Sequence, residues 1–111
     1  MPNIRVGYNQ QTGKVEFSPN DGNVYMKGRG RIFFTPADPT NPVEFQSFKL
    51  EPEDLVQFPR TVAPGQIDVD DLFTDPHEKA YKYTVVVKLD GTTGVGDPQI
   101  VNQPRALAGV A

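Results

Sequence analysis

Apolar and polar positions alternate most clearly between residues 81 and 89. The odd positions there are apolar or aromatic, and the even positions are Lys82, Thr84, Val86 and Lys88. A period of two residues with many β-branched and aromatic side chains predicts a strand with one buried face. Asp90 and Gly91 then predict a turn, residues 91–96 a flexible hairpin tip, and residues 98–102 a short return strand.

The same alternation predicts a second strand over residues 27–35. Its inner face begins with two glycines and continues with Ile32 and Phe34, whereas its outer face carries Lys27, Arg29, Arg31 and Phe33. Side chains two residues apart on a strand lie about 7 Å apart on one face. The sequence therefore predicts a basic stripe, formed by Lys27, Arg29 and Arg31 with Phe33 at its end.

Shorter alternating runs at residues 4–8, 14–17, 43–46 and 67–70 predict further strands. Residues 47–50 shift their apolar phase by one position relative to Phe45, which indicates a β-bulge. Residues 51–55 group proline and acids as at a helix start, which predicts a single helical turn. Short strands separated by turn residues predict an all-β fold, an antiparallel Greek-key β-sandwich of seven to eight strands.

The inward positions of these strands predict a single hydrophobic core. A chain of 111 residues has room for one such core, so we expect one domain over residues 1–103 and a flexible tail over residues 104–111. The predicted core residues are Ile4, Val6, Phe17, Ile32, Phe34, Phe45, Phe48, Ile67, Val69, Tyr81, Tyr83, Val85, Val87 and Ile100.

Composition narrows the classes of protein that fit this pattern. The 11 prolines and 10 glycines argue against a helical bundle, and the absence of cysteine excludes disulfides and thiolate metal sites. No apolar stretch approaches the roughly 20 residues that span a bilayer. The first residues lack the apolar core of a signal peptide, so a cytoplasmic location is expected by default, with export left open.

The charge of the chain is uneven along its length. Residues 37–78 contain ten acidic and two basic side chains, although the net charge of the whole chain is −3. Nucleic-acid binding needs a contiguous basic footprint, which this distribution does not provide. We therefore expect neither nucleic acid nor membrane as a partner.

Three short segments carry a family resemblance over residues 14–103. Residues 17–19 (Phe-Ser-Pro) end a short strand, Lys27 and Gly28 lead into the strand around Ile32, and residues 81–83 (Tyr-Lys-Tyr) open a later strand. This order resembles a cupredoxin-like sandwich, with an immunoglobulin-like sandwich as the competing resemblance. Residues 81–84 and 97–100 are also similar to those of small bacterial sandwich proteins, a resemblance that implies no function.

The resemblance to cupredoxins does not extend to copper. Copper-binding members use two histidines and a cysteine, whereas this chain has one histidine and no cysteine. A type-1 copper site is therefore excluded. The resemblance implies a copper-free member, and we expect no cofactor.

Candidate catalytic residues are few. The chain has one imidazole, His77, and two serines, Ser18 and Ser47, neither in the context of a nucleophile elbow. We therefore predict that the protein is not an enzyme.

Two charged features remain as candidate sites. The basic stripe (Lys27, Arg29, Arg31 and Phe33) favours a non-catalytic protein-binding or structural module that contacts an acidic protein, or self-association with the acidic segment 68–78. The alternative is a divalent-metal-binding domain, in which Asp68 and Asp70 share a strand face and Asp71 joins them from a following turn to bind Ca²⁺.

Overall fold

A computed structural model describes residues 2–104 of the chain. The predicted tail, residues 104–111, lies outside the described residues except for Pro104. The elements in chain order are β1 (Asn3–Asn9), β2 (Lys14–Ser18), a short 3₁₀ turn (Asn20–Gly22), β3 (Val24–Met26), β4 (Gly30–Pro36), β5 (Glu44–Glu51), β6 (Arg60–Ala63), β7 (Gln66–Asp71), β8 (Lys79–Leu89), β9 (Thr92–Gly96) and β10 (Gln99–Asn102). Residues 2–104 contain no helix that is long and apolar enough to cross a membrane.

The strands form two five-stranded sheets. The first has the order β2-β1-β4-β7-β6, and the second has the order β3-β10-β8-β5 with β9 paired to β8. The prediction of an all-β, two-sheet fold is confirmed. The described chain has ten strands rather than seven or eight, and both sheets are mixed, because β1 pairs with β4 and β3 with β10 in parallel.

Strand pairing explains why the sequence pattern missed the parallel neighbours. Alternation identifies the buried face of a strand but carries no information about which strand lies beside it. Here the chain leaves the first sheet after β2, adds the three-residue strand β3 to the second sheet, and returns with β4 beside β1. A three-residue strand is too short for its periodicity to be recognised.

The predicted hairpin is confirmed in its long strand, its turn and its return strand. Asp90 and Gly91 have φ angles of 50° and 80°, and β10 pairs antiparallel with the first residues of β8. The expected flexible tip is wrong, because residues 92–96 form β9 against the end of β8. β9 fits there because Gly94 and Gly96 lie directly beneath the rings of Tyr8 and Phe17, where a Cβ atom would overlap them.

The core lies between the sheets. Every predicted core residue is buried except Phe17, which is half-buried. Phe34, Phe48 and Tyr83 pack together with ring centroids 5.2–5.6 Å apart. The predicted bulge is confirmed by a register shift between Phe45 and Ser47. Phe58, fully buried against Tyr81, was missed because it lies in a loop without strand periodicity.

Candidate functional site

The basic stripe is shorter than predicted. β4 begins at Gly30, so Lys27 and Arg29 lie in the bend before it and do not continue the alternation. The bend is required because β3 belongs to the second sheet and β4 to the first, and residues 27–29 carry the chain between them. Arg31 and Phe33 share the outer face of β4, with the Arg31 guanidinium carbon 6.0 Å from the centre of the Phe33 ring.

Arg31 is paired within the molecule. β4 lies beside β7 with Arg31 opposite Asp70, and Arg31 Nε donates to Asp70 Oδ1 at 2.8 Å. This hydrogen bond and the charge of Asp70 raise the pKa of Arg31. The two charged features that the sequence suggested as separate sites are therefore neighbours in one sheet, and their charges offset each other in part.

The three aspartates of the predicted calcium site do not converge. Asp68 and Asp70 lie half-buried on the outer face of β7, as alternation predicts, and Gln66 Nε2 donates to Asp68. β7 continues through Asp71, so this side chain points to the opposite face and is fully buried. The placement of Asp71 in a following turn is thus wrong. Within residues 2–104 no group of three or more His, Asp or Glu side chains is arranged to hold a metal ion.

Asp71 belongs to a buried polar cluster between the sheets, which the sequence analysis missed. We define the cluster as Gln57, Asp71, Asp75, Tyr81 and Asn102. Gln57, Asp71, Tyr81 and Asn102 are at most 1% exposed, whereas Asp75 is half-buried. The members come from the β5–β6 loop, the end of β7, the β7–β8 loop, β8 and the end of β10.

The Asn102 amide lies at the centre of the cluster. Its Nδ2 is 3.1 Å from Asp71 Oδ1, 3.0 Å from Asp75 Oδ2 and 3.2 Å from Gln57 Oε1. The Tyr81 hydroxyl donates to Asp75 at 2.8 Å and accepts from Gln57 Nε2 at 2.9 Å. Side chains from five separate segments are tied together by these bonds.

Two oxygens in the cluster lack partners. Asp71 Oδ2 and Asn102 Oδ1 are buried and have no hydrogen-bond partner among residues 2–104. Burial and, to a smaller extent, the charge of Asp75 raise the pKa of Asp71 to about 6, although hydrogen bonds from Asn102 and the Phe73 amide act to lower it. Burial and the bond to Asp75 also raise the pKa of Tyr81. Asp71 and Asn102 are inaccessible to a substrate in this arrangement.

The cluster anchors the β5–β6 loop, residues 52–59, which we call the tip loop. Gln57 N donates to Asp54 Oδ1 at 3.0 Å, and Leu72 N donates to Gln57 O at 3.0 Å. The ring of Phe58 packs against Tyr81 with centroids 4.7 Å apart. A single turn closed by a hydrogen bond from Phe58 N to Asp54 O at 3.0 Å forms at residues 54–58, three residues later than the predicted helical turn at residues 51–55.

Two apolar side chains project from this anchored loop. Leu55 is 65% exposed and Val56 is 85% exposed, and we call this pair the tip. Residues 51–60 carry three acidic side chains (Glu51, Glu53 and Asp54) against one arginine, Arg60, which is paired with Glu53. Two consecutive apolar residues have no periodicity, so the sequence pattern gave no sign of this feature.

Comparisons with known proteins assign the chain to no family. No protein-family model matches it, and no curated protein matches it in sequence. The arrangement of its own residues therefore carries the functional argument.

Proposed function

We propose that the protein is a non-catalytic binding module that contacts another protein through the tip, Leu55 and Val56. The observation that carries this proposal is the exposure of both side chains, 65% and 85%, on a loop whose base is fixed by buried hydrogen bonds. Large apolar side chains on a rigid support are suited to fill a pocket on a partner, because little conformational entropy is lost on binding.

The charge around the tip selects the kind of partner. Three acidic residues, Glu51, Glu53 and Asp54, precede the apolar pair in sequence; Glu53 is paired with Arg60, and Asp54 accepts hydrogen bonds from Gln57. An apolar pocket rimmed by lysine or arginine complements this surface. An anionic membrane surface would be repelled by the same carboxylates. The occupant we propose is therefore a basic protein surface with an apolar pocket.

The basic stripe has less support as a contact surface. Arg31 is engaged by Asp70, and Lys27 and Arg29 lie outside the strand, so the row of cations expected from the sequence is broken. Binding of an acidic partner through Lys27, Arg29, Arg31 and Phe33 stays a prediction.

The calcium alternative also stays a prediction, with weaker support. Asp68 and Asp70 offer carboxylate oxygens on one face, but Asp70 is bonded to Arg31 and Asp71 faces the core. Calcium favours six to eight oxygen ligands, which two aspartates do not supply.

A relationship to cupredoxin-like or immunoglobulin-like sandwiches is likewise our proposal. The two packed sheets support a sandwich of this general kind. Because sandwich folds host many unrelated functions, this relationship would not alter the argument from the tip.

Site-specific photo-cross-linking tests the proposal. A benzophenone side chain replaces Val56, and the matched control carries it at Val95, which is 59% exposed on β9 at the opposite edge of β8 from β5. Any protein cross-linked from position 56 is then purified, and its affinity is measured for the wild type, for Leu55→Ser with Val56→Ser, and for Val95→Ser.

The proposal predicts a discrete adduct from position 56 that position 95 does not give. Binding of the purified partner should weaken at least tenfold in the double tip variant, remain unchanged in Val95→Ser, and weaken with added salt. Unchanged binding in the double variant contradicts the proposal. Adducts of a second copy of this chain, or tip-dependent binding to phosphatidylserine vesicles, would also contradict the proposed occupant.

A further inference from the structure

The buried polar cluster contains a carboxylate without a cationic partner among residues 2–104. Asp71 Oδ1 accepts from the Phe73 amide at 2.9 Å and from Asn102 Nδ2, whereas Asp71 Oδ2 accepts nothing within residues 2–104. An ionised carboxylate in this position leaves buried charge unbalanced, which is costly. Asn102 Oδ1 is a second buried acceptor without a donor in the described part of the chain, residues 2–104.

One proton on Asp71 would remove both the unbalanced buried charge and the lack of a donor. It would occupy Oδ2, the oxygen that accepts no hydrogen bond, and would neutralise the buried charge. The hydroxyl so formed is a donor, and Asn102 Oδ1 belongs to the amide whose Nδ2 lies 3.1 Å from Asp71 Oδ1 and is an acceptor without a donor within residues 2–104. The proton comes from solvent and returns to solvent, so no other group changes its charge.

The groups around Asp71 favour the proton. The Asn102 amide has two N–H donors for three acceptors, Asp71, Asp75 and Gln57 Oε1, so the two carboxylates do not each have a full hydrogen bond from it. Five elements contribute side chains that face the region around Asp71. They are the tip loop (Asp54 and Gln57), the β7–β8 loop (Asp75), β8 (Lys79 and Tyr81), β10 (Asn102) and β3 (Met26). On β4, Gly30 lies opposite Asp71.

Neither cation of these elements forms an ion pair with Asp71. Lys79, exposed on β8, has its Nζ 5.3 Å from the centre of the Tyr81 ring and makes no salt bridge within residues 2–104. Arg31 on β4 points to the outer face and binds Asp70. Of the remaining titratable neighbours, His77 and Glu78 are exposed in the β7–β8 loop. Protonation of Asp71 itself is therefore the direct way to balance the charge of the cluster.

We propose that Asp71 is a proton-operated latch for the tip loop. Protonated Asp71 holds the Asn102 and Gln57 amides in place, and Gln57 in turn fixes the loop through Asp54, Leu72 and Thr74. Ionised Asp71 repels Asp75 and weakens these links. This inference rests on the proposed function for its biological meaning, because the latch would regulate how firmly the tip is presented.

Linkage gives the sign and size of the effect. The pKa of Asp71 is raised from 3.8 to about 6 in the closed cluster, so the closed form binds the proton more tightly than an opened form with a solvated carboxyl. Closure is therefore fully favoured at low pH, and the advantage is lost as the pH rises through about 6. The ratio of closed to open molecules falls about a hundredfold from a pH well below 3.8 to a pH well above 6. Between pH 5 and pH 7.5 it falls about tenfold.

Two measurements on the full chain test the latch. The first is a carbon-13 NMR titration of the Asp71 carboxyl in the wild type. The second is amide hydrogen exchange at Gln57 and Thr74 at pH 5 and pH 7.5, corrected for intrinsic rates. The exchange is measured in three proteins: the wild type, Asp71→Asn, and the control Asp70→Asn on the outer face. The new amide in Asp71→Asn carries a donor where the carboxylic acid has its proton.

The latch predicts a carboxyl midpoint near pH 6 and protection that falls about tenfold with pH in the wild type and in Asp70→Asn. Protection in Asp71→Asn should be independent of pH. A midpoint below pH 5, or an unaltered pH response in Asp71→Asn, would overturn the proposal. If Asp71→Asn does not fold, the wild-type titration decides. Neither measurement uses a partner. The latch can therefore be contradicted while binding through the tip is supported, and binding through the tip can be contradicted while the latch is supported.

Discussion

Asp70 and Asp71 are adjacent in the chain and have opposite environments. Asp70 lies on the outer face of β7 and accepts a hydrogen bond from Arg31, which is itself exposed. Asp71 lies on the inner face, fully buried, with amides as its donors and no cation bonded to it within residues 2–104. Strand alternation places the two side chains on opposite faces. Asp70 therefore forms a surface ion pair, whereas Asp71 is a buried carboxyl group. Position in the sheet, more than residue identity, decides what each carboxylate can do.

Among substitutions that separate the two environments, Asn102→Leu is expected to have the largest effect on the free energy of unfolding. The substitution removes the amide that donates to Asp71, Asp75 and Gln57, and leaves Asp71 with the Phe73 amide alone. We expect a loss of ~3 kcal/mol in the free energy of unfolding at pH 7.5, because a buried charge loses its donor. Urea denaturation measures this loss, which should be smaller at pH 4.5, because that pH is below the Asp71 pKa of about 6.

The neighbouring Gln103→Leu is the matched control for that experiment. Gln103 is half-buried and its amide reaches the exposed Glu78 at 3.5 Å, so its replacement should change stability little. A cost below ~1 kcal/mol for Asn102→Leu would mean that the cluster contributes little to stability.

The smallest expected effect concerns the outer face. A double-mutant cycle with Arg31→Ala and Asp70→Ala isolates the interaction of this exposed pair. Exposed ion pairs contribute little and are screened by salt, so we expect a coupling far smaller than the cost of Asn102→Leu that fades in 1 M NaCl. A salt-resistant coupling as large as the cost of Asn102→Leu would remove the contrast between the two aspartates.

The sequence predicted those features of the fold that depend on local periodicity. The buried face of β8, the shared outer face of Asp68 and Asp70, and the bulge after Phe45 all follow from the alternation of side chains. The parallel neighbours and the three-residue β3 depend on tertiary pairing, which alternation does not encode.

The candidate site was harder to predict, because it is assembled from distant segments. Asn102 and Gln57 are separated by 45 positions, and no short motif marks either of them as a partner of Asp71. The inward direction of Asp71 depended on whether β7 ended at residue 70 or 71. Strand ends are uncertain by a residue or more in sequence analysis, and one residue reverses the face. Leu55 and Val56 lie in a turn, where periodicity gives no information.

The proposed contact surface requires the tip to be exposed on a rigid base. Backbone nitrogen-15 relaxation of the full chain at pH 5 measures this rigidity, with the exposed β1–β2 loop at residues 10–13 as an internal comparison. We expect order parameters near ~0.85 for Leu55, Val56 and Gln57, equal to those of the strands. Values below ~0.6 at the tip would contradict this expectation, because a loop that mobile could not present a fixed apolar pair to a partner.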